Sequence, residues 1–240
     1  MTEELTSYIL EGGITMSIKP TYFAFDLKQH TSYLPSLIKC YRAAFATDPW
    51  DEWKKCSKCG KEWGISAEPE LAMHNFMHCG QVVEDSWPVE MVKNSLESEL
   101  TADSTCWVAV TTGAMVIGFA WGYAATPQQL EDKLHAPGFA DIFFNDYPDV
   151  ATVAYQDDIG VHPGFRLQGI ALELIDLRLR DFKRKGLSVG VARVMRNPPS
   201  GTYAMYDKHG FKTVYQYNDS RQRVIMTKPY KGYYPKEYHP

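Results

Sequence analysis

Cys56-Ser57-Lys58-Cys59-Gly60 places two thiols on one tight turn, and His74, His78 and Cys79 follow it. The spacing reads C-x2-C-x14-H-x3-H, or H-x4-C where Cys79 closes the set. Thiolates and imidazoles in such a pattern make a tetrahedral zinc site. His74 and His78 stand one helical turn apart, and Cys79 offers a softer ligand one residue further round, so either His78 or Cys79 serves as the fourth ligand. Four protein ligands leave no position for water, which makes this zinc structural rather than catalytic. Free, unliganded thiols are the plain alternative.

A second chemical signal runs from Asp158 through Ile159-Gly160-Val161-His162-Pro163-Gly164-Phe165-Arg166-Leu167-Gln168-Gly169-Ile170-Ala171. A strand pattern enters a turn, and a helix pattern begins near Gly169. Small residues let a backbone approach a ligand, and the unpaired N–H groups of a first helical turn hold phosphate oxygens. Each such contact with the helix dipole contributes only about 0.3–1 kcal/mol, so several must converge. A pyrophosphate supplies the matching acceptors. The G-x-G-x-x-G spacing of a dinucleotide site is missing, as is an acidic residue about 20 positions later.

These groups need elements to hold them. Ile18 to Leu27 reads as a strand, Ser32 to Ala46 as a helix capped by Thr31, and Val89 to Leu100 as another helix. Cys106 to Thr111 and Met115 to Tyr123 form a hairpin about Thr112-Gly113. Val150 to Val161 is a strand, Gly169 to Lys185 a helix with Leu172, Ile175, Leu179 and Phe182 on its buried face, and Ser188 to Met195 a strand. A short helix from Thr202 to Lys208 and a closing hairpin of 211–217 with 224–227 follow. The long aromatic and acidic connection 126–149 is either a lid or wall beside a site, or a surface helix at 128–134 with its aromatics on the core.

Val161, Pro163, Arg166, Gly169 and Ala171 fill every specified position of V-x-P-x-x-R/Q-x-x-G-x-G/A, and Tyr206-Asp207-Lys208-His209-Gly210-Phe211 follows a strand ending in Arg196-Asn197. In both blocks the chain resembles the GNAT superfamily of acetyl-CoA-dependent N-acetyltransferases. The resemblance implies a mixed, mostly antiparallel central sheet flanked by helices and splayed between its fourth and fifth strands. It implies that Ile159, Gly160 and Val161 pair their backbone with the pantetheine arm of acetyl-CoA, and that Arg166, Leu167, Gln168, Gly169, Ile170 and Ala171 form the pyrophosphate turn. Asn197 matches a position that touches the CoA arm. Tyr206 matches the general acid near the CoA sulfur.

Attack on a thioester requires an uncharged amine and stabilisation of the departing thiolate. Asp157 and Asp158 stand where a base or an anchor for the acceptor's cation belongs. Side chains alternate along a regular strand, so only one of them faces a cleft, and Asp157 then shares the face of Ile159 and Val161. A bulge alters that parity, and both remain candidates.

The chain has 240 residues, and its net charge of -4 conceals a division. Residues 1–161 carry 10 Lys and Arg against 23 Asp and Glu, a net -13, whereas 162–240 carry 15 against 6, a net +9. An acidic part attracts cationic acceptors and a basic part attracts phosphates. No apolar run reaches the roughly 20 residues of a membrane span. The acidic N-terminus lacks a secretory pattern, and five cysteines suit a reducing cytoplasm. Nucleic acid is a poor partner for an acidic zinc segment.

Expected, then, is an arm at 1–16, one acetyltransferase domain at 17–228 with a zinc-binding insertion at about 54–86, and a tail at 229–240. The expected reaction moves an acetyl group from acetyl-CoA to a small cationic amine of aminoglycoside or polyamine type. Protein lysines or N-termini are the alternative acceptors, and a non-catalytic acyl-CoA-binding or zinc-mediated interaction module is the alternative of another class. The oligomeric state stays open, a dimer included.

Overall fold

A computed structural model describes residues 19–101, 103–196 and 201–230. The arm at 1–16, Asn197 and the tail beyond 230 lie outside the described residues. In chain order the elements are β1 Thr21–Ala24, α1 Leu34–Phe45, β2 Lys54–Lys55, β3 Glu62–Trp63, α2 Pro69–Ala72, β4 Met77–His78, β5 Gln81–Val82, β6 Glu84–Asp85, α3 Val89–Glu99, β7 Thr105–Val110 and β8 Val116–Ala125. They continue with α4 Pro127–Leu134, α5 Phe139–Asp146, β9 Val153–Gln156, β10 Ile159–Val161, α6 Ile170–Arg184, β11 Val189–Met195, α7 Gly201–Lys208, β12 Lys212–Gln216 and β13 Arg223–Pro229. The architecture is mixed α/β, with a mostly antiparallel central sheet and flanking helices.

The chain forms two compact units. One comprises the described residues through Thr101 together with Cys106–Ala120 and Ile159–Leu174. In it β1 pairs antiparallel with β7, and β10 pairs antiparallel with β8. Ile170 and Leu174 of α6 cover Ala109, Ile117, Ala120 and Val161. The expected cap at Thr31 is corrected: Thr31 lies in a 3-10 turn, and α1 starts without a side-chain cap, with proline in its first turn instead.

The other unit comprises 103–105, Trp121–Asp158 and the described residues from Ile175 onward. Among the described residues its one parallel pairing joins β9 to β11, Ala154–Gln156 against Gly190–Ala192. From Arg193 onward β11 keeps only β13 beside it among the described residues. Pairing between the fourth and fifth strands thus ends at Gln156 and Ala192 among the described residues. The 126–149 connection is two helices. Thr126 and Gln129 form a reciprocal capping box that starts α4, and Phe139 and Phe143 are buried with Leu130 and Leu134 against Val153, Tyr155, Val189, Val191 and Ile225. Its aromatic residues thus belong to the core.

The expected strand 150–161 is broken. Tyr155 pairs with Tyr123, but Ile159 pairs with Ala120, so four residues on this strand oppose three on β8. The extra residue is a β-bulge at Asp157-Asp158, and it reverses the parity of the strand. Ala154 packs on Phe182 of α6, and after the bulge Val161 packs on Ile170 and Leu174 of the same helix. Asp157 accordingly does not share the face of Ile159 and Val161, contrary to the regular-strand expectation.

Gly122, opposite the bulge, is required by crowding. A Cβ there would stand 2.1 Å from the Tyr155 carbonyl oxygen and 3.0 Å from Phe182. Gly122→Ala should therefore destabilise the protein by roughly 3 kcal/mol in urea unfolding. Gly113→Ala, whose nearest neighbour would be Thr111 Oγ1 at 3.7 Å, should be nearly neutral in the same assay.

Candidate functional site

The turn before α6 is built by its backbone. His162 Nδ1 accepts from the Gly164 N–H, a 3-10 turn spans Pro163–Phe165, and Leu167 and Gly169 both adopt left-handed conformations at φ 61° and 79°. A Cβ on Gly169 would meet nothing within 4 Å. Conformation rather than crowding calls for glycine here. Leu167 is fully exposed, and Ile170 opens the helix. The N–H groups of the first helical turn have no partner within the helix, the condition a phosphate needs. Among the described residues β10 pairs with β8 alone, and on its other edge the Val161 carbonyl already accepts from Arg166.

The side chain of Arg166 is taken up by oxygens of the protein itself. Its Nε donates to Val161 O at 3.1 Å, Nη1 to Asp48 O at 2.7 Å, and Nη2 to Ala44 O at 2.9 Å and Thr47 Oγ1 at 3.0 Å. The guanidinium ties the turn to the end of α1. Burial lowers the Arg166 pKa and pushes the Cys40 thiol up to about 12. Cys40 and Cys106 are buried, as expected of inert thiols.

In the other unit, Tyr206 of α7 is 1% exposed, its ring edge-on to Phe211 at 4.9 Å. Arg178 of α6, with no exposed surface, donates through Nη2 to the Tyr206 hydroxyl and through Nη1 to the carbonyls of Trp121 and Asp158. Asp158 O also accepts from Trp121 N at 2.9 Å. Burial raises the Tyr206 pKa, against the pull of Arg178. The phenol therefore keeps its proton at neutral pH, as a general acid must.

Asp157 is held from the other direction. Its carboxylate lies 2.9 Å from Lys133 Nζ of α4, and the same ammonium bonds the Tyr123 hydroxyl. Two working residues were thus missed from sequence. Arg178 had left a signal, since it stands three residues after Ile175 and four before Phe182, within the apolar stripe of α6. Lys133 left none, because nothing in the sequence links it to Asp157.

Near the N-terminus of the first unit, Cys56, Cys59, His78 and Cys79 bring one ligand atom each within 4.8 Å of the others. Their chemistry and spacing fit a tetrahedral zinc. The expectation for His74 is corrected: α2 ends at Ala72, His74 is exposed beyond it, and the group that gathers does not include it. His78 lies on β4 rather than on a helix, and the left-handed Cys79 and Gly80 make the turn to β5 that lets both adjacent residues face the knuckle. The choice between His78 and Cys79 dissolves, since the group contains both. Hydrogen bonding with His78 pulls the Cys56 thiol down to about 6. Trp63 packs edge-on to His78 and Phe76, and Arg42 of α1 and Lys54 of β2 both hold Asp85 at 2.8 Å.

Residues 50–211 match the model of the acetyltransferase (GNAT) family. A search of curated proteins finds no match. Among solved structures, arylalkylamine N-acetyltransferase 2 from Aedes aegypti is similar at a TM-score of 0.55 and 15% identity, over 88% of this chain and 99% of that one. The ribosomal-protein-S18-alanine N-acetyltransferase from Escherichia coli is similar at 0.51 and 13%, over 90% and 99%. The PaiA N-acetyltransferase from Thermoplasma acidophilum, in complex with coenzyme A, is similar at 0.50 and 16%, over 89% and 100%. At these identities the likeness is one of fold.

His162, beside the turn, provides a pH handle. Burial and the charge of Arg166 depress its pKa from 6.5 to about 4. The unfolded chain binds this proton first, so stability is complete above pH 6.5 and falls as the pH drops toward 4. The full loss from this group is roughly 3 kcal/mol. Urea unfolding at pH 7.5 and 4.5 should show that His162→Asn has a shallower pH dependence than the wild type; equal slopes would contradict a buried neutral imidazole.

Proposed function

Because this chain belongs to the acetyltransferase (GNAT) family, we propose that it transfers an acetyl group from acetyl-CoA to a primary amine of a small cationic acceptor. The observation that carries the reading is the backbone-built turn from Val161 to Ala171. It presents first-turn N–H groups beside a strand that, among the described residues, is paired on one side alone. In this reading the turn holds the CoA pyrophosphate, and Ile159, Gly160 and Val161 bond the pantetheine arm. Tyr206, kept protonated by burial and oriented by Arg178, gives its proton to the departing thiolate. The excess of 23 Asp and Glu over 10 Lys and Arg in residues 1–161 supports a cationic acceptor.

The proposal includes a structural zinc on Cys56, Cys59, His78 and Cys79, within an insertion at about 54–86 of the acetyltransferase domain. When bound, the metal supplies a cross-link between the knuckle and the β4–β5 hairpin. Cys56, Trp63 and Val83 form one small cluster there, and Ile65 and Ala72 another with Ala46 and Trp53, so the cross-link adds to modest burial in fixing the segment.

Incubation with acetyl-CoA and a panel of aminoglycosides, polyamines and peptides, read by release of free thiol, tests the reaction. Turnover with small polycations above peptides is expected, and CoA binding without turnover of any amine would sink the enzyme reading. Tyr206→Phe should lower kcat about 100-fold and leave acetyl-CoA affinity within about twofold; equal losses in both would refute the acid role. Elemental analysis should find one zinc per chain in the wild type and in His74→Ala, and none in Cys59→Ser or His78→Ala. Retention of zinc by both of the last two would contradict the ligand set.

A further inference from the structure

Building on the acetyltransferase reading, we propose that Asp157, Tyr123 and Tyr155 form an ammonium subsite of the acceptor, and that Lys133 is its internal occupant, displaced when an acceptor binds. The molecule displays the ligand class by holding one. Lys133 Nζ stands 2.9 Å from Asp157 Oδ2, bonds the Tyr123 hydroxyl, and lies 5.6 Å from the centre of the Tyr155 ring. An ammonium has three N–H donors and no acceptor, and a carboxylate, a phenol oxygen and an aromatic ring match it. Since the ammonium bonds the hydroxyl, it sits at the edge of the Tyr123 ring, and its 4.9 Å distance from that centroid adds little face-on attraction.

Host and guest differ in how firmly they are placed. Tyr155 is buried on β9, Tyr123 is its register partner on β8 with the rings 5.6 Å apart, and the Asp157 side chain on the bulge is only 11% exposed. The Lys133 side chain is 38% exposed and reaches in from α4 on a flexible four-carbon arm. A pair with one partner this exposed is weakly held, and a largely buried carboxylate left without a cation is costly. A competing ammonium therefore replaces the lysine without leaving the host vacant.

The subsite also lies next to the proposed chemistry. Asp158, the neighbour of Asp157, gives its carbonyl to the same Arg178 that holds Tyr206. An amine kept protonated by a carboxylate has no lone pair with which to attack a thioester. The subsite thus holds a second ammonium, not the reacting one, and the acceptor class narrows to diamines and polyamines.

The test is calorimetric titration of the full chain with n-butylammonium, a single cation that needs no turnover to report binding, with urea midpoints to confirm folding. Lys133→Met should bind it at least tenfold more tightly than the wild type, and adding Asp157→Asn should abolish the gain; Lys133→Gln serves if the methionine variant does not fold. Unchanged or weaker binding in the folded Lys133 variant would show that the lysine only tethers α4 and would overturn the proposal. Thiol release with acetyl-CoA and 1,4-diaminobutane, run in parallel, separates the two levels. A tenfold gain in butylammonium binding without turnover of any amine overturns the enzyme reading alone, whereas turnover without that gain overturns the subsite alone.

Discussion

A buried guanidinium that donates to two backbone carbonyls and a phenol holds the second unit around its bulge. Removing a cation from water is expensive unless its N–H groups find strong acceptors. At the β-bulge they are the carbonyl of Trp121 on β8 and that of Asp158, which accepts a second hydrogen bond besides the one from Trp121 N. Arg178 donates to the carbonyls of Trp121 and Asp158 and to the phenol of Tyr206. One side chain thereby fixes the shape of the broken strand and the position of the proposed proton donor. Its Nε makes no hydrogen bond among the described residues, so the group is satisfied only on the side that faces the bulge.

Arg166 performs a similar task in the first unit, holding four oxygens at the end of α1 and on β10. Both arginines are scaffolding for backbone. The N–H groups of the turn before α6 are positioned by two left-handed residues and a 3-10 turn. The acidic surplus has a similar inward component. Asp51 accepts from the N–H groups of Ser66 and Ala67, Asp85 is shared by Arg42 and Lys54, and Asp157 is held by Lys133. Part of the -13 charge is structural, and the acidic surplus open to solvent is smaller than composition suggests.

Much of this was legible in the sequence because it depends on local rules. The apolar stripe of α6, the turn at Val161 to Ala171 and the C-x-x-C-G knuckle are each written in consecutive residues. The rest depends on pairing between distant segments. The strand expected across 150–161 breaks because β8 opposes it with one residue fewer, and no local pattern records that count. His74 and His78 carry helical spacing, yet the helix stops at Ala72 and the adjacent His78 and Cys79 meet Cys56 and Cys59 through a hairpin instead. Lys133 meets Asp157 across 24 residues of sequence, an encounter that only the packing of α4 on the sheet creates.

In the proposed reaction a buried arginine prepares a tyrosine to protonate the leaving thiolate. Arg178→Lys retains the charge but not the fork that reaches three oxygens at once. In a folded Arg178→Lys variant, single-turnover acetyl transfer should slow at least tenfold while acetyl-CoA affinity stays within about twofold. A wild-type transfer rate in that variant would contradict the account.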